Sequence, residues 1–226
     1  MRLSLGNPLP LLLSVNAGYV DTAGFLALHG LFTAHVTGNF VTLGASLVLG
    51  TSGAVAKLLA LPVFCAVVIL TRVLSTALLK RNVAALKILL GLKVALLSVG
   101  AALAIIFGPF NDGDAWQAVL TGMVLVGAMA IQNAAHRIHL GSAPPSTLMT
   151  GTTTQIMIDL ADMLSVPKAG DAPAGARLTQ MSVNIFIFAC GCACAAILYA
   201  LVGVWCFIVP PVLGAISTTV RSTSPD

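Results

Sequence analysis

One carboxylate, two side-chain amides and two Thr-Gly pairs are the groups in this chain best placed to hold a solute. Asp21 lies inside an apolar run, and sixteen residues later come Thr37, Gly38 and Asn39, at the end of Thr33–Asn39 (Thr-Ala-His-Val-Thr-Gly-Asn). A second set follows the same order. Gln132 and Asn133 close an apolar run, and Thr150, Gly151 and Thr152 end the stretch Thr147–Thr152 (Thr-Leu-Met-Thr-Gly-Thr), with Thr150 seventeen residues after Asn133. A polar, glycine-bearing stretch between apolar runs must find partners for its own backbone, because lipid offers none. Glycine permits a tight turn, and threonine hydroxyls and Asn39 can cap the exposed amides of a short helix. A helix N-terminus left open carries roughly half a positive charge and unpaired N–H groups, which suit an anion, a carboxylate or a dipolar solute. The expected binding residues are therefore Asp21, Thr37, Gly38, Asn39, Gln132, Asn133, Thr150, Gly151 and Thr152.

The surrounding elements must then be membrane helices. Of the 226 residues, 58% are hydrophobic and 8% charged, against about 25% charged in soluble domains. The mean hydropathy is +1.01. This composition reads as an integral membrane protein whose partner is the lipid bilayer, with one transmembrane domain over residues 1–226. A span needs about 20 apolar residues. Six stretches qualify: Leu9–Leu28, Val55–Leu79, Ile88–Phe107, Trp116–Ala135, Ser182–Leu201 and Val204–Thr218. Gly203 is the expected turn between the last two, and Tyr199 and Trp205 are expected interface anchors. The segments Leu31–Gly50 and Ser146–Leu164 either cross or dip in and return.

Charge favours dipping. With six spans and a cytoplasmic N-terminus, Arg2, Lys80, Arg81, Lys87, Arg137, Lys168, Arg177 and Arg221 all face the cytoplasm and Lys57 faces out; eight spans would move Lys80, Arg81, Lys87 and Arg137 outside. The expected fold is all-α: six transmembrane helices plus two re-entrant half-helices. Each half then holds three spans, so the halves at about 9–107 and 116–218 form a 3+3 inverted repeat, a construction common in transporters. A polar, disordered tail is expected over 219–226. The turns are expected at Thr37-Gly38 and Thr150-Gly151.

Other residues carry weaker signals. Asp21, expensive at this depth, faces either a cavity or a partner: a protonation site, or an acceptor for the amides of the first short segment. His35 is expected to be neutral and bonded to backbone, and His136 and His139 to meet lipid headgroups. Arg72 and Lys93 are expected to snorkel, with an Arg72 ion pair to Asp159 or Asp162 as the alternative. The five cysteines, Cys65, Cys190, Cys192, Cys194 and Cys206, lie in apolar runs and read as small hydrophobes. Gly191 and the alanines beside Cys190–Cys194 fit a close helix contact. No Gly-x-Ser-x-Gly, no His-Glu-x-x-His and no paired catalytic aspartates suggest an enzyme; Asp159 and Asp162 share a helix face but are expected to be solvated near its cytoplasmic end. No metal site, cofactor or nucleic-acid surface is expected.

Asn16-Ala-Gly-Tyr-Val-Asp21, then Gly24-Phe-Leu-Ala-Leu28 and Thr37-Gly-Asn39, resemble the first-half signature of the YoaK-like family. Gln132-Asn-Ala134 and Thr147–Gly151 are similar to its second-half motif. The resemblance implies a multi-pass protein of the bacterial inner membrane with no assigned chemistry. Together with the residues themselves it leads to an expected small-solute transporter or channel, for an anion or polar metabolite, with both termini cytoplasmic. A non-transporting scaffold or partner subunit is the alternative.

Overall fold

The computed structural model describes residues 8–165 and 172–220. Among these the secondary structure is helical throughout: α1 (Pro8–Ala27), α2 (Gly38–Leu49), α3 (Ala54–Lys80), α4 (Ala85–Phe107), α5 (Trp116–His139), α6 (Met149–Ser165), α7 (Ala172–Val202), a 3-10 turn (Gly203–Ile208) and α8 (Val209–Thr219). Five helical stretches are long and apolar enough to cross a membrane, the last being Gly175–Thr219. The chain is a multi-pass membrane protein.

The helices sort by polarity. Among the five, α1 and α5 are the least apolar and by far the most enclosed. They carry Asn16, Asp21, Gln132 and Asn133, which lipid cannot solvate, so the bundle wraps them. The more apolar α3, α4 and α7 stand outside and present Leu70, Val73, Ile106, Phe186 and Leu201 outward. Helix α1 packs on α7, and α5 packs on α3 and α4. The α1–α7 contact rests on two glycines: a Cβ at Gly18 would lie 2.3 Å from the Phe188 carbonyl oxygen, and one at Gly191 would lie 2.2 Å from that of Val15. The close contact expected around Gly191 is present.

Between α1 and α3 the chain folds back on itself. It leaves α1 at Leu28 and returns along it, so that Thr33 and Ala34 bond Asp21. Asp21 is six residues before the end of α1, or roughly 9 Å along its axis. The turn at Val36-Thr37 starts α2, which leads back to Ser52, whose hydroxyl lies 3.2 Å from the His29 Nδ1 beside the end of α1. Entry and exit are therefore adjacent. The chain between α5 and α7 does something similar. Ser146 and Thr147 return along α5 to bond Gln132 and Asn133, the Asn184 amide meets the Pro145 carbonyl, and α6 runs toward Arg177 near the start of α7, which bonds Asp159.

Several expected boundaries and roles move. Helix α7 starts ten residues before Ser182 and α5 continues past Ala135 to His139, because polar residues at these ends find protein partners: Arg177 holds Asp159 and His139 holds Ser75. Asp159 thus pairs with Arg177 and not with Arg72, which is exposed. Lys57 is buried and donates to Ser46. Lys93 does not snorkel; it is fully enclosed. Gly203 does break the final apolar run, with φ +58. Of the expected tail, Thr219 still belongs to α8, and 221–226 lie outside the described residues, as do Arg2, Lys168 and Arg221 of the charge pattern.

Candidate functional site

The first loop is held by a single carboxylate. Asp21 Oδ1 accepts from the Thr33 and Ala34 amides, both at 2.7 Å, and from the Thr33 hydroxyl at 3.3 Å. Its Oδ2 lies 2.6 Å from His35 Nδ1. His35 is therefore paired with a carboxylate as well as with the backbone of Thr147 in the second loop, and its ring meets Phe188 edge-on at 5.5 Å. Asp21 is the acceptor for the first loop, one of its two expected roles. Asn39 completes the anchor: its amide donates to the Phe32 carbonyl and accepts from the Phe32 N–H, each at 2.8 Å. Asn39 thus spends both ends of its amide on one residue's backbone.

The second loop is held by neutral amides. Asn133 Oδ1 accepts from the Thr147 hydroxyl. Gln132 Nε2 donates to the Leu13 carbonyl at 2.9 Å and to the Ser146 hydroxyl at 3.2 Å. Thr152 returns its hydroxyl to the Leu148 carbonyl, as residues inside a helix do.

The two loops face each other across a cavity of about 440 Å³. His35 and Thr37 line it from the first loop, Ser146 and Thr147 from the second, and Asn133, His136 and Arg137 from α5. The starts of α2 and α6 both border it, through Thr37 and Leu148. His136 is buried in its wall and does not meet headgroups. A second cleft, of about 460 Å³, lies on the other side of His35, lined by Asp21, Phe25, Phe32, Gly38, Phe188 and Cys192. His35 borders both.

Of the nine residues expected to bind, Thr37 and Asn133 reach the loop cavity, and Asp21 and Gly38 reach the second cleft. Gln132 is buried behind the cavity wall. Thr150 and Gly151 are exposed in the first turn of α6, and Thr150 borders a shallow surface depression with Met157 and Ile158. The second turn is thus not at Thr150-Gly151: α6 begins at Met149, and the irregular backbone is Leu140–Leu148. Nor does Thr37 cap α2, since its side chain makes no capping bond. His136, Arg137, Ser146 and Thr147 were missed as lining residues. The available signal was Pro144-Pro145, which forces extended backbone just before Ser146.

A family model described as "Protein of unknown function (DUF1275)" matches residues 9–220. The chain belongs to that family. Membership of DUF1275 agrees with the YoaK-like resemblance of the two motif sets. No curated protein and no solved structure matches the chain, so the chemistry of this DUF1275 protein has to be read from its own residues. The match spans both loops, both helices that anchor them and the cavity between. Among its described residues no group of three His, Cys, Asp or Glu side chains could hold a metal ion.

Proposed function

We propose that the protein is a small-solute transporter or channel whose site is the cavity between the two loops. The observation that carries this reading is the cavity itself. At about 440 Å³ it lies within the ~300–1,000 Å³ of small-molecule sites. Its wall combines hydroxyls, an amide and the Arg137 cation with apolar Ala34, Val36 and Phe64. Polar residues serving only to satisfy backbone, as in a scaffold, would leave no such space; Asn39 acts in that way, but Thr37, Asn133 and Arg137 do not.

The proposed architecture is a 3+3 inverted repeat with two re-entrant segments. Gly175–Thr219, 45 residues long, would extend about 68 Å as one straight helix, twice the ~30 Å hydrocarbon core. The break at Gly203 divides it into two spans, six in all. Helix α2, with 12 residues, is about 18 Å long and too short to cross. Three correspondences support the repeat. Helices α1 and α7 pack together as α5 and α3 do, and α2 meets α3 as α6 meets α7. Asp21 and Asn133 occupy equivalent places and anchor Thr33 and Thr147. Ser46, eight residues after Gly38, bonds Lys57 of the next helix; Asp159, eight after Gly151, bonds Arg177 of the next helix. The proposed setting is the bacterial inner membrane with both termini cytoplasmic, since Lys80, Arg81, Lys87 and Arg137 then face the cytoplasm.

The test is flux through purified protein in liposomes, followed by light scattering after osmotic shifts with neutral polar solutes and with salts of small anions. The expected result is solute-selective flux above protein-free liposomes, falling at least about tenfold in Thr37→Leu. That residue lines the cavity and makes no capping bond, so the larger side chain obstructs the cavity without unfastening the loop. Absence of flux for every solute refutes transport; full flux in Thr37→Leu refutes the placement.

A further inference from the structure

Lys93 stands in the middle of the bundle with no counter-charge. It is fully enclosed on α4, and its Nζ has no hydrogen-bond partner. The packing on either side fixes what it faces. One turn before it, Leu89 clusters with Ile131 and Ala135 of α5, and Leu90 with Leu9 and Leu13 of α1. In the turn after it, Val94 and Leu97 close on Gly214 of α8, where the Asn16 amide also arrives. Lys93 therefore sits level with Gln132 on α5 and with Leu13–Asn16 on α1. Both polar neighbours are themselves incomplete. Asn16 is buried with neither amide atom bonded, and Gln132 leaves Oε1 unmet.

The missing partner can be characterised from what is unmet. An ammonium offers three N–H donors and the Asn16 amide two more, against one unmet oxygen each on Asn16 and Gln132. Donors are in excess, and a protonated Lys93 makes the cluster positive. A lone buried charge is costly unless something opposite compensates it. The sole carboxylate on α1, α4, α5 and α8 is Asp21, and it is committed to Thr33, Ala34 and His35. What completes the cluster is an acceptor that brings negative charge and no donor. The enclosure of all three side chains limits it to a small one.

We infer that Lys93, Asn16 and Gln132 form a buried site for a small inorganic anion of halide or nitrate size. Two Lys93 donors turn to the amide oxygens, and the third, with Asn16 Nδ2, holds the anion. The loop cavity lies beyond Ser146, which bonds Gln132 and lines it, and His136, one turn along α5, lines it too. The site is distinct from that cavity and does not depend on a solute moving through it.

The test uses the full chain in detergent micelles. Thermal unfolding is recorded in sodium gluconate, chloride, bromide and nitrate at equal ionic strength, and chloride binding is read separately by chlorine NMR line broadening. The melting temperature is expected to rise by roughly 5–10 °C over gluconate when the small anion reaches about a hundredfold its Kd. Lys93→Met, an apolar side chain of similar length, is expected to melt in gluconate no lower than wild type, to lose the shift, and to lose the NMR broadening. Asn16→Leu and Gln132→Leu are expected to weaken binding and carry the same test if Lys93→Met does not fold. Thr37→Leu, which obstructs the loop cavity, keeps the shift. Wild-type protein indifferent to all three small anions overturns the site. So does a Lys93→Met protein that responds like wild type, or a Thr37→Leu protein that loses the response.

Discussion

Removing the Asp21 carboxylate should unfasten the first loop. In Asp21→Ala the Thr33 and Ala34 amides lose the oxygen that both now reach at 2.7 Å. Thr33 and Ala34 are buried, so water cannot simply replace it. A buried donor left unsatisfied costs about 1–3 kcal/mol, which puts the two amides at roughly 2–6 kcal/mol. At about 2–4 °C per kcal/mol for a chain of this size, melting falls by roughly 5–20 °C. Asp21→Asn is the discriminating control. It keeps one oxygen for both amides and loses the charge assistance to them and to His35, a cost of about 1–2 kcal/mol. With Cys65, Cys190, Cys192 and Cys194 replaced by alanine, the free and buried Cys206 lets a thiol-reactive dye report unfolding. The loop-anchor reasoning predicts a clear order: wild type, then Asp21→Asn, then Asp21→Ala. An Asp21→Ala protein that melts with wild type, or an Asp21→Asn protein as unstable as Asp21→Ala, would refute it.

Three further outcomes follow from the packing and topology. Gly191→Ala places a methyl against the Val15 carbonyl at 2.2 Å; it should lower stability by about 1–3 kcal/mol or more and is checked by thermal unfolding. Gly151→Ala has nothing within 4 Å and sits in a helix, so the same assay should find it neutral or stabilising by up to about 1 kcal/mol; a large loss would mean that the Thr-Gly pair is a turn after all. Single cysteines at Asn82 and Asn111, in a background without the native thiols, should label from opposite sides of the membrane, because α4 between them (23 residues) spans about 35 Å. Labelling of both by an impermeant reagent in intact cells would contradict a crossing α4.

The two polar loops were legible in the sequence because lipid makes them so. A Thr-Gly stretch or a Pro-Pro pair between long apolar runs has few places to satisfy its backbone. Where each loop turns was harder to read. Thr37-Gly38 and Thr150-Gly151 look alike as strings, yet Gly38 directly follows a turn, with its Cβ position 2.9 Å from the Phe32 ring, while Gly151 is open helix. A dipeptide does not record which neighbour approaches it. The main partner of His35 was hard to read for a related reason. A histidine in an apolar run is compatible with backbone, headgroup or side-chain partners, and the carboxylate it meets here lies 14 positions away in the chain.

By itself the sequence determined the class of protein, the apolar helices and the two irregular segments, since these follow from hydropathy summed along 10–20 neighbouring residues. Tertiary structure alone decided that Asp21 holds one loop while Asn133 holds the other, that His136 and Thr147 share a cavity wall, and that Lys93 is enclosed with no carboxylate opposite. Those outcomes are set by which helix faces meet. Helices α1 and α5 carry the polar residues and must be covered on nearly every side, and what covers them comes from helices far away in the chain.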